Sequence, residues 1–195
     1  MKNYISVLAA FLCSTLMVLG ANPNTEKMQQ LPFEKNITTP ALPAAKHKSQ
    51  IAKAKGMVDF FTEAGLKAKL TRNDEVVVVT IPVAEVFKAN SAQPIYNAER
   101  IFDKFREAYK KGDEYRLVAA VYTDNTGDDT YSKNLTDSRV EALKALMKNS
   151  AAIVGVSQPN INYYSMGNSN PVVPNNSLVN RATNRRIEVY IIPED

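Results

Sequence analysis

Cysteine and histidine are nearly absent from this 195-residue chain, with one of each. Cys13 sits inside the apolar stretch near the start, and His47 sits at the end of a polar stretch broken by prolines. Disulfide frameworks and Cys/His metal clusters need several such residues at fixed spacings, so neither is expected, and no metal or other cofactor is implied. No Ser/His/Asp set and no phosphate-binding loop is visible, which argues against an enzyme. Dense basic blocks are lacking as well. The 24 Lys and Arg against 20 Asp and Glu leave a net charge of +4 spread along the chain, whereas nucleic-acid binding favours a clustered basic footprint with aromatic platforms. The early apolar run from Ile5 to Leu19 is short of the roughly 20 residues a spanning helix needs. The stretch that follows contains no series of amphipathic strands of roughly 9–11 residues, so no transmembrane barrel is expected in this chain.

What is present begins with an export pattern. Met1-Lys2 precedes the apolar run, and Gly20-Ala21 follow it, the order of a secretory signal cleaved near residue 21. Phe11 and Leu12, rather than small residues, precede Cys13, so lipidation there is not expected and the cysteine leaves with the signal. Residues 22–50 carry Pro23, Pro32, Pro40 and Pro43 with no surviving period, and read as a flexible tether. An apolar content of 45% with 23% charged residues suits a globular remainder.

Periodicity starts at Ile51. Ile51, Met57, Val58 and Phe61 mark one helical face that Gly65 ends, and residues 51–75 are expected to add a helix and a hairpin strand to the main domain, 76–195. Leu66–Leu70, the turn Arg72-Asn73-Asp74 and Val76–Ile81 read as a hairpin, and the four-valine run suggests a strand covered on both faces. Ile95, Ala98, Ile101, Phe102, Phe105 and Tyr109 recur at helical spacing, as a core stripe closed by Gly112. Leu117–Tyr122 is a strand, and Thr123–Asn134 a polar loop. A third helix is expected to start at Thr136 as N-cap, with Leu135 and Val140 as a hydrophobic staple. Strands near Asn162–Met166 and at Ile187–Ile191 complete the order, the last alternating with Glu188 and Tyr190 as if one face were wetter. Strands alternating with helices imply crossovers on one sheet, hence an α/β sandwich.

Four stretches then carry a family resemblance. Val121–Arg139 holds Thr123-Asp124, Gly127 and Leu135-Thr136-Asp137-Ser138-Arg139; Met166–Val172 holds a Gly-x-x-x-Pro turn; Arg181–Val189 reads Arg-Ala-Thr-Asn-Arg-Arg-Ile-Glu-Val; and Val86–Ser91 leaves the first main strand. In this order and spacing they resemble the OmpA-like peptidoglycan-binding domain. The resemblance implies an α+β, βαβαβ-type fold with a mixed sheet and helices on one face, preceded by a helix and hairpin strand. It implies a non-enzymatic wall binder in the periplasm, or on the periplasmic side of the outer membrane, of a Gram-negative-type bacterium. Its ligand would be the diaminopimelate of a peptide stem, whose free end carries an ammonium and a carboxylate on one carbon. Asp124 would take the ammonium. Arg139, in the first turn of the helix, would take the carboxylate through its planar fork, helped by the N–H groups of Thr136 to Ser138. Asn90, Thr126, Ser132, Leu135, Thr136 and Arg185 complete the implied site. Adjacent strand residues face opposite sides, so no more than one of Arg185 and Arg186 is expected in the pocket; Arg185 is preferred, with no argument from the sequence that separates the two. Ser132 stands where the family often has asparagine, and Asn180 where a glycine often precedes the arginine. Two competing readings remain open: Asp124 as a loop cap with Arg139 paired to Asp137 or Glu141, and an envelope protein, rather than the wall, as the partner.

Overall fold

The computed structural model describes residues 34–37, 42–109, 115–152 and 160–193. The export pattern, most of the tether and Gly112 lie outside them. The described elements are α1 (Ala44–Glu63), β1 (Lys67–Thr71), β2 (Val76–Pro82), α2 (Glu99–Tyr109), β3 (Tyr115–Val121), α3 (Asp129–Ala152), β4 (Asn160–Ser165), α4 (Leu178–Asn184) and β5 (Arg186–Pro193), with short 3-10 turns at Glu34–Ile37 and Val83–Glu85.

The five strands form one mixed sheet in the order β1-β2-β5-β3-β4. β1 and β2 are an antiparallel hairpin, β5 lies antiparallel to both β2 and β3, and β3 and β4 run parallel. The last strand is thus inserted between the two main strands that precede it. The expected α+β, βαβαβ-type arrangement with its preceding helix and hairpin is the one observed.

Periodicity explains the layers. Val77, Val79 and Ile81 of β2, Leu117, Ala119 and Val121 of β3, and Ile187, Val189 and Ile191 of β5 point to one face. Against it pack Ala54, Met57 and Phe61 of α1, Phe102 and Phe105 of α2, and Val140, Leu143 and Met147 of α3. The aromatic stripe is core, with Phe61 and Phe105 ring centroids 4.8 Å apart. The alternate residues Val76, Val78, Val118, Ala120, Tyr190 and Ile192 form a second buried cluster on the other face, together with Ile37. Both faces of the valine run are therefore covered. The face of β5 expected to be wetter is closed: Tyr190 and Ile192 are buried.

Two helix starts differ from the sequence expectation. α1 begins at Ala44, seven residues ahead of Ile51 and inside the stretch read as tether. The period is masked there by lysines and alanines, yet Gln50 is buried and its Nε2 donates to the Pro193 carbonyl at 2.8 Å. The helix ends as expected at Gly65. Leu66 N–H reaches the Phe61 carbonyl and Gly65 N–H the Thr62 carbonyl, both at 2.9 Å, a Schellman closure that uses the glycine's positive φ of 83°. The second difference lies in α3, and it reshapes the site.

Candidate functional site

The site gathers at one end of the sheet because four strand termini meet there. Pro82 at the end of β2 is opposite Arg186 at the start of β5, and Val121 at the end of β3 is opposite both Ile187 and Ser165. Chain leaving β2 and β3 and chain entering β5 therefore converge above one edge of the core. They enclose a cleft of about 300 Å³ lined by Asn90, Thr126, Ser132, Leu135, Arg139, Arg185 and Asp124, all seven expected from the sequence. Thr123, Gly127 and Tyr131 line it too and were not foreseen as site residues.

Asp124 follows β3 and is 4% exposed. One carboxylate oxygen accepts the Thr126 N–H at 3.0 Å, and the other accepts from Arg185 Nη1. Burial opposes its ionisation, but the bonds from Thr126 and Arg185 outweigh that and hold its pKa below the usual aspartate value. A short relay fixes its place. Thr123 N–H donates to the Gly167 carbonyl at 2.8 Å, and Gly167 N–H donates to Thr136 Oγ1 at 3.0 Å, so the strand exit is pinned to α3. Gly167 has a positive φ of 55° in this turn. Asp124 is thus a loop acceptor and a cleft residue at once.

Arg139 is 1% exposed. Its Nε donates to the Ser91 carbonyl at 3.0 Å, and its guanidinium lies 5.8 Å from the Phe87 ring centroid. Its Nη1 is buried with no hydrogen-bond partner among the described residues. The helix carboxylates that could have claimed it are engaged elsewhere: Asp137 with Lys133, and Glu141 with Lys144 at 2.7 Å. Ser132 Oγ, also in the cleft lining, is buried without a partner in the same way. Burial lowers the proton affinity of Arg139, with Tyr131 opposing that effect. A guanidinium holds its proton so tightly to begin with that the group remains a cation at neutral pH.

The start of α3 corrects the expected geometry. The helix opens at Asp129, not at Thr136. Asp128 is the cap: its Oδ1 accepts the Tyr131 N–H at 2.7 Å, and its carbonyl accepts the Ser132 N–H at 2.9 Å. Acidic Asp129 in the first turn complements the helix dipole. Thr136 is therefore interior and wholly buried, returning its hydroxyl to the Ser132 carbonyl at 3.0 Å. It supports the cleft from behind rather than lining it. Arg139 stands in the third turn, not the first, and the N–H groups of Thr136 to Ser138 belong to the helix interior. The signal for this was Asp128-Asp129 followed by Tyr131 and Leu135 at helical spacing, which the polar composition hid. Tyr131 then falls over the cleft, and a Cβ at Gly127 would lie 2.3 Å from its Cδ1, so the glycine is a packing requirement.

Of the arginine pair, Arg185 enters the cleft. Arg186 is buried beneath: it donates through Nε to Glu188 at 2.8 Å, through Nη2 to the Asn170 carbonyl at 3.1 Å, and sits 3.8 Å over the Tyr122 ring. Asn184, just before them, is fully buried and binds the backbone of Val172 and Val173. It thereby locks the loop that delivers Arg185. Among the described residues no group of His, Cys, Asp and Glu is placed to hold a metal, and no helix is long and apolar enough to cross a membrane.

No family model matches the chain. It is 32% identical over 82 residues, 42% of its length, to the outer-membrane lipoprotein YfiB of Pseudomonas aeruginosa. It is 25% identical over 131 residues, 57% of its length, to outer membrane protein A of Bordetella avium. The chain spans 45% and 66% of the length of these two relatives. Among solved structures, the cell wall anchor of the T6SS from Pseudomonas aeruginosa is 21% identical, with a TM-score of 0.56 over 72% of this chain and 96% of that one. The order of the motifs, the insertion of the last strand between β2 and β3 and these relatives point the same way: the chain is similar to OmpA-like domains.

Proposed function

We propose that this protein binds peptidoglycan without chemically altering it, by gripping the free end of diaminopimelate in a peptide stem, and is thereby held at the cell wall of the bacterial envelope. The observation that carries the reading is the buried, partly unpaired guanidinium of Arg139 beside the unpaired hydroxyl of Ser132 in one cleft. An unpaired buried cation is costly, and an incoming carboxylate would relieve that cost through charge-assisted bonds of roughly 1.5–3 kcal/mol each. Asp124 supplies the anion. Its carboxylate offers about four acceptor directions, so an ammonium can join Thr126 and Arg185 there. Arg185 is 38% exposed at its side chain and can also turn toward the ligand as the ammonium approaches. The three charged residues of the lining, two cations and one anion, suit a zwitterion presented with its carboxylate inward.

The relatives support an envelope setting, since both carry outer-membrane names. The wall anchor that shares the fold bears on it by fold alone. With an export signal, the domain would act in the periplasm or on the periplasmic side of the outer membrane. No pair of carboxyls in the cleft offers an acid and a base for wall cleavage: Asp124 is the single carboxylate in the lining, and it is held ionised.

The test is co-sedimentation of the protein with purified diaminopimelate-type sacculi, beside Asp124→Ala and Arg139→Ala. Wild-type pelleting that is lost in both variants, each still folded by circular dichroism, is the expected result. A wild type that stays in the supernatant, or variants that pellet equally, would leave an envelope protein as the partner.

A further inference from the structure

We infer that the segment leading into α1 is a strap seated on the second face of the sheet and held there by Ile37, rather than a free linker. Ile37 is 0% exposed and joins the cluster made by Val76, Val78, Val118, Ala120, Tyr190 and Ile192. α1 starts only seven residues later and packs on the opposite face through Ala54, Met57 and Phe61. Ile37 and α1 therefore lie on opposite faces of the sheet.

The second face requires a cover. α1, α2 and α3 all pack on the first face, yet Val76, Val118 and Ile192 on the second are fully buried. Outside the strands, the described residues that join this second cluster are Ile37, Tyr122 and Met166. Tyr122 and Met166 lie at the cleft end, where β3 and β4 stop. At the other end β2 begins at Val76 and β5 closes with Ile192 and Pro193. There Gln50 of α1 donates to the Pro193 carbonyl, rooting the helix at that same end. Ile37 and α1 thus hold the sheet from its two faces, with Gln50 fixing α1 at the end away from the cleft.

The consequence is mechanical. Tension on the N-terminus enters the domain through the second face of the sheet, and the chain is held from Ile37 rather than from Ala44. Seven residues fewer in the free segment shorten its reach by about 25 Å.

The experiment compares the full exported chain with Ile37→Asp and Ile37→Ala, measuring thermal unfolding, binding of a hydrophobic dye and the rate of proteolysis ahead of residue 42. The strap predicts native circular dichroism with a midpoint several degrees lower in Ile37→Ala. It also predicts dye binding and at least tenfold faster cleavage in Ile37→Asp. If Ile37→Asp does not fold, the graded loss in Ile37→Ala still reports seating. Midpoint, dye signal and cleavage all equal to wild type would overturn the strap. Dimerisation of Ile37→Asp without dye binding would overturn it too, by assigning the face to a second copy.

Discussion

Arg139 keeps a full positive charge where 1% of its surface meets solvent and one of its nitrogens has no protein partner. Removing such a charge relieves a desolvation cost while losing one bond to Ser91 and contact with Phe87. Arg139→Met should therefore leave the unliganded protein as stable as wild type or more stable, by on the order of 1 kcal/mol, while abolishing wall retention. Chemical denaturation beside sedimentation checks both halves. Arg139→Lys keeps the charge but not the planar fork, and should weaken retention at least tenfold. For Asp124 the sign follows from its depressed pKa. A carboxyl that binds its proton less tightly when folded contributes stability above the unfolded value of about 3.9, and that contribution is lost as pH falls through the lower folded value. The stability difference between wild type and Asp124→Asn should be constant from pH 7 to about 4 and vanish in more acid solution, read by denaturation at each pH. Asp124 was legible in the sequence because its motif fixes it at a strand exit, Arg139 because the same motif fixes its spacing from Asp124, and the arginine pair at 185–186 because it opens the last strand. The pairing of Arg185 with Asp124 was not, since it joins residues brought together only by insertion of β5 between β2 and β3.

Elements were legible where a period was uninterrupted. The core face of α2 and the valine strand each declare themselves and are buried as their patterns require, whereas the alternation of β5 suggested a wetter face that Tyr190 and Ile192 close. The start of α3 was misread because Asp128 to Asn134 is polar, and a capping threonine and a back-bonding one look alike in sequence. α4 went unrecognised because seven residues make barely two turns, with Leu178 and Val179 facing solvent at 77% and 74% exposure. The corrected start makes its own prediction. Asp128→Ala should cost about 1 kcal/mol of stability as a lost N-cap, whereas a cap at Thr136 would make this change neutral. Gly127→Ala forces Tyr131 aside. It should weaken retention on sacculi while shifting the unfolding midpoint little, because the displaced ring is half-exposed.

At the scale of the whole molecule, the sheet separates two tasks. One end assembles the cleft from the exits of β2 and β3, the entry of β5 and the first three turns of α3. The other end roots α1 through Gln50, while Ile37 joins the second face of the sheet. Sequence reading found the first end through its motifs. It missed the seating of Ile37 because an isolated isoleucine among prolines has no period, and only the closed second face shows what it does. The central claim is that Arg139 meets a ligand carboxylate, and its own side-chain N–H resonance reports this most directly. The measurement is a nitrogen-15 NMR titration of the Arg139 Nε–H signal with a soluble stem peptide ending in diaminopimelate, beside the same peptide carrying lysine, which lacks that carboxylate. The account predicts a saturable shift with diaminopimelate, little with lysine, and none for either peptide in Asp124→Ala. Equal shifts with both peptides, or none with either, would contradict it.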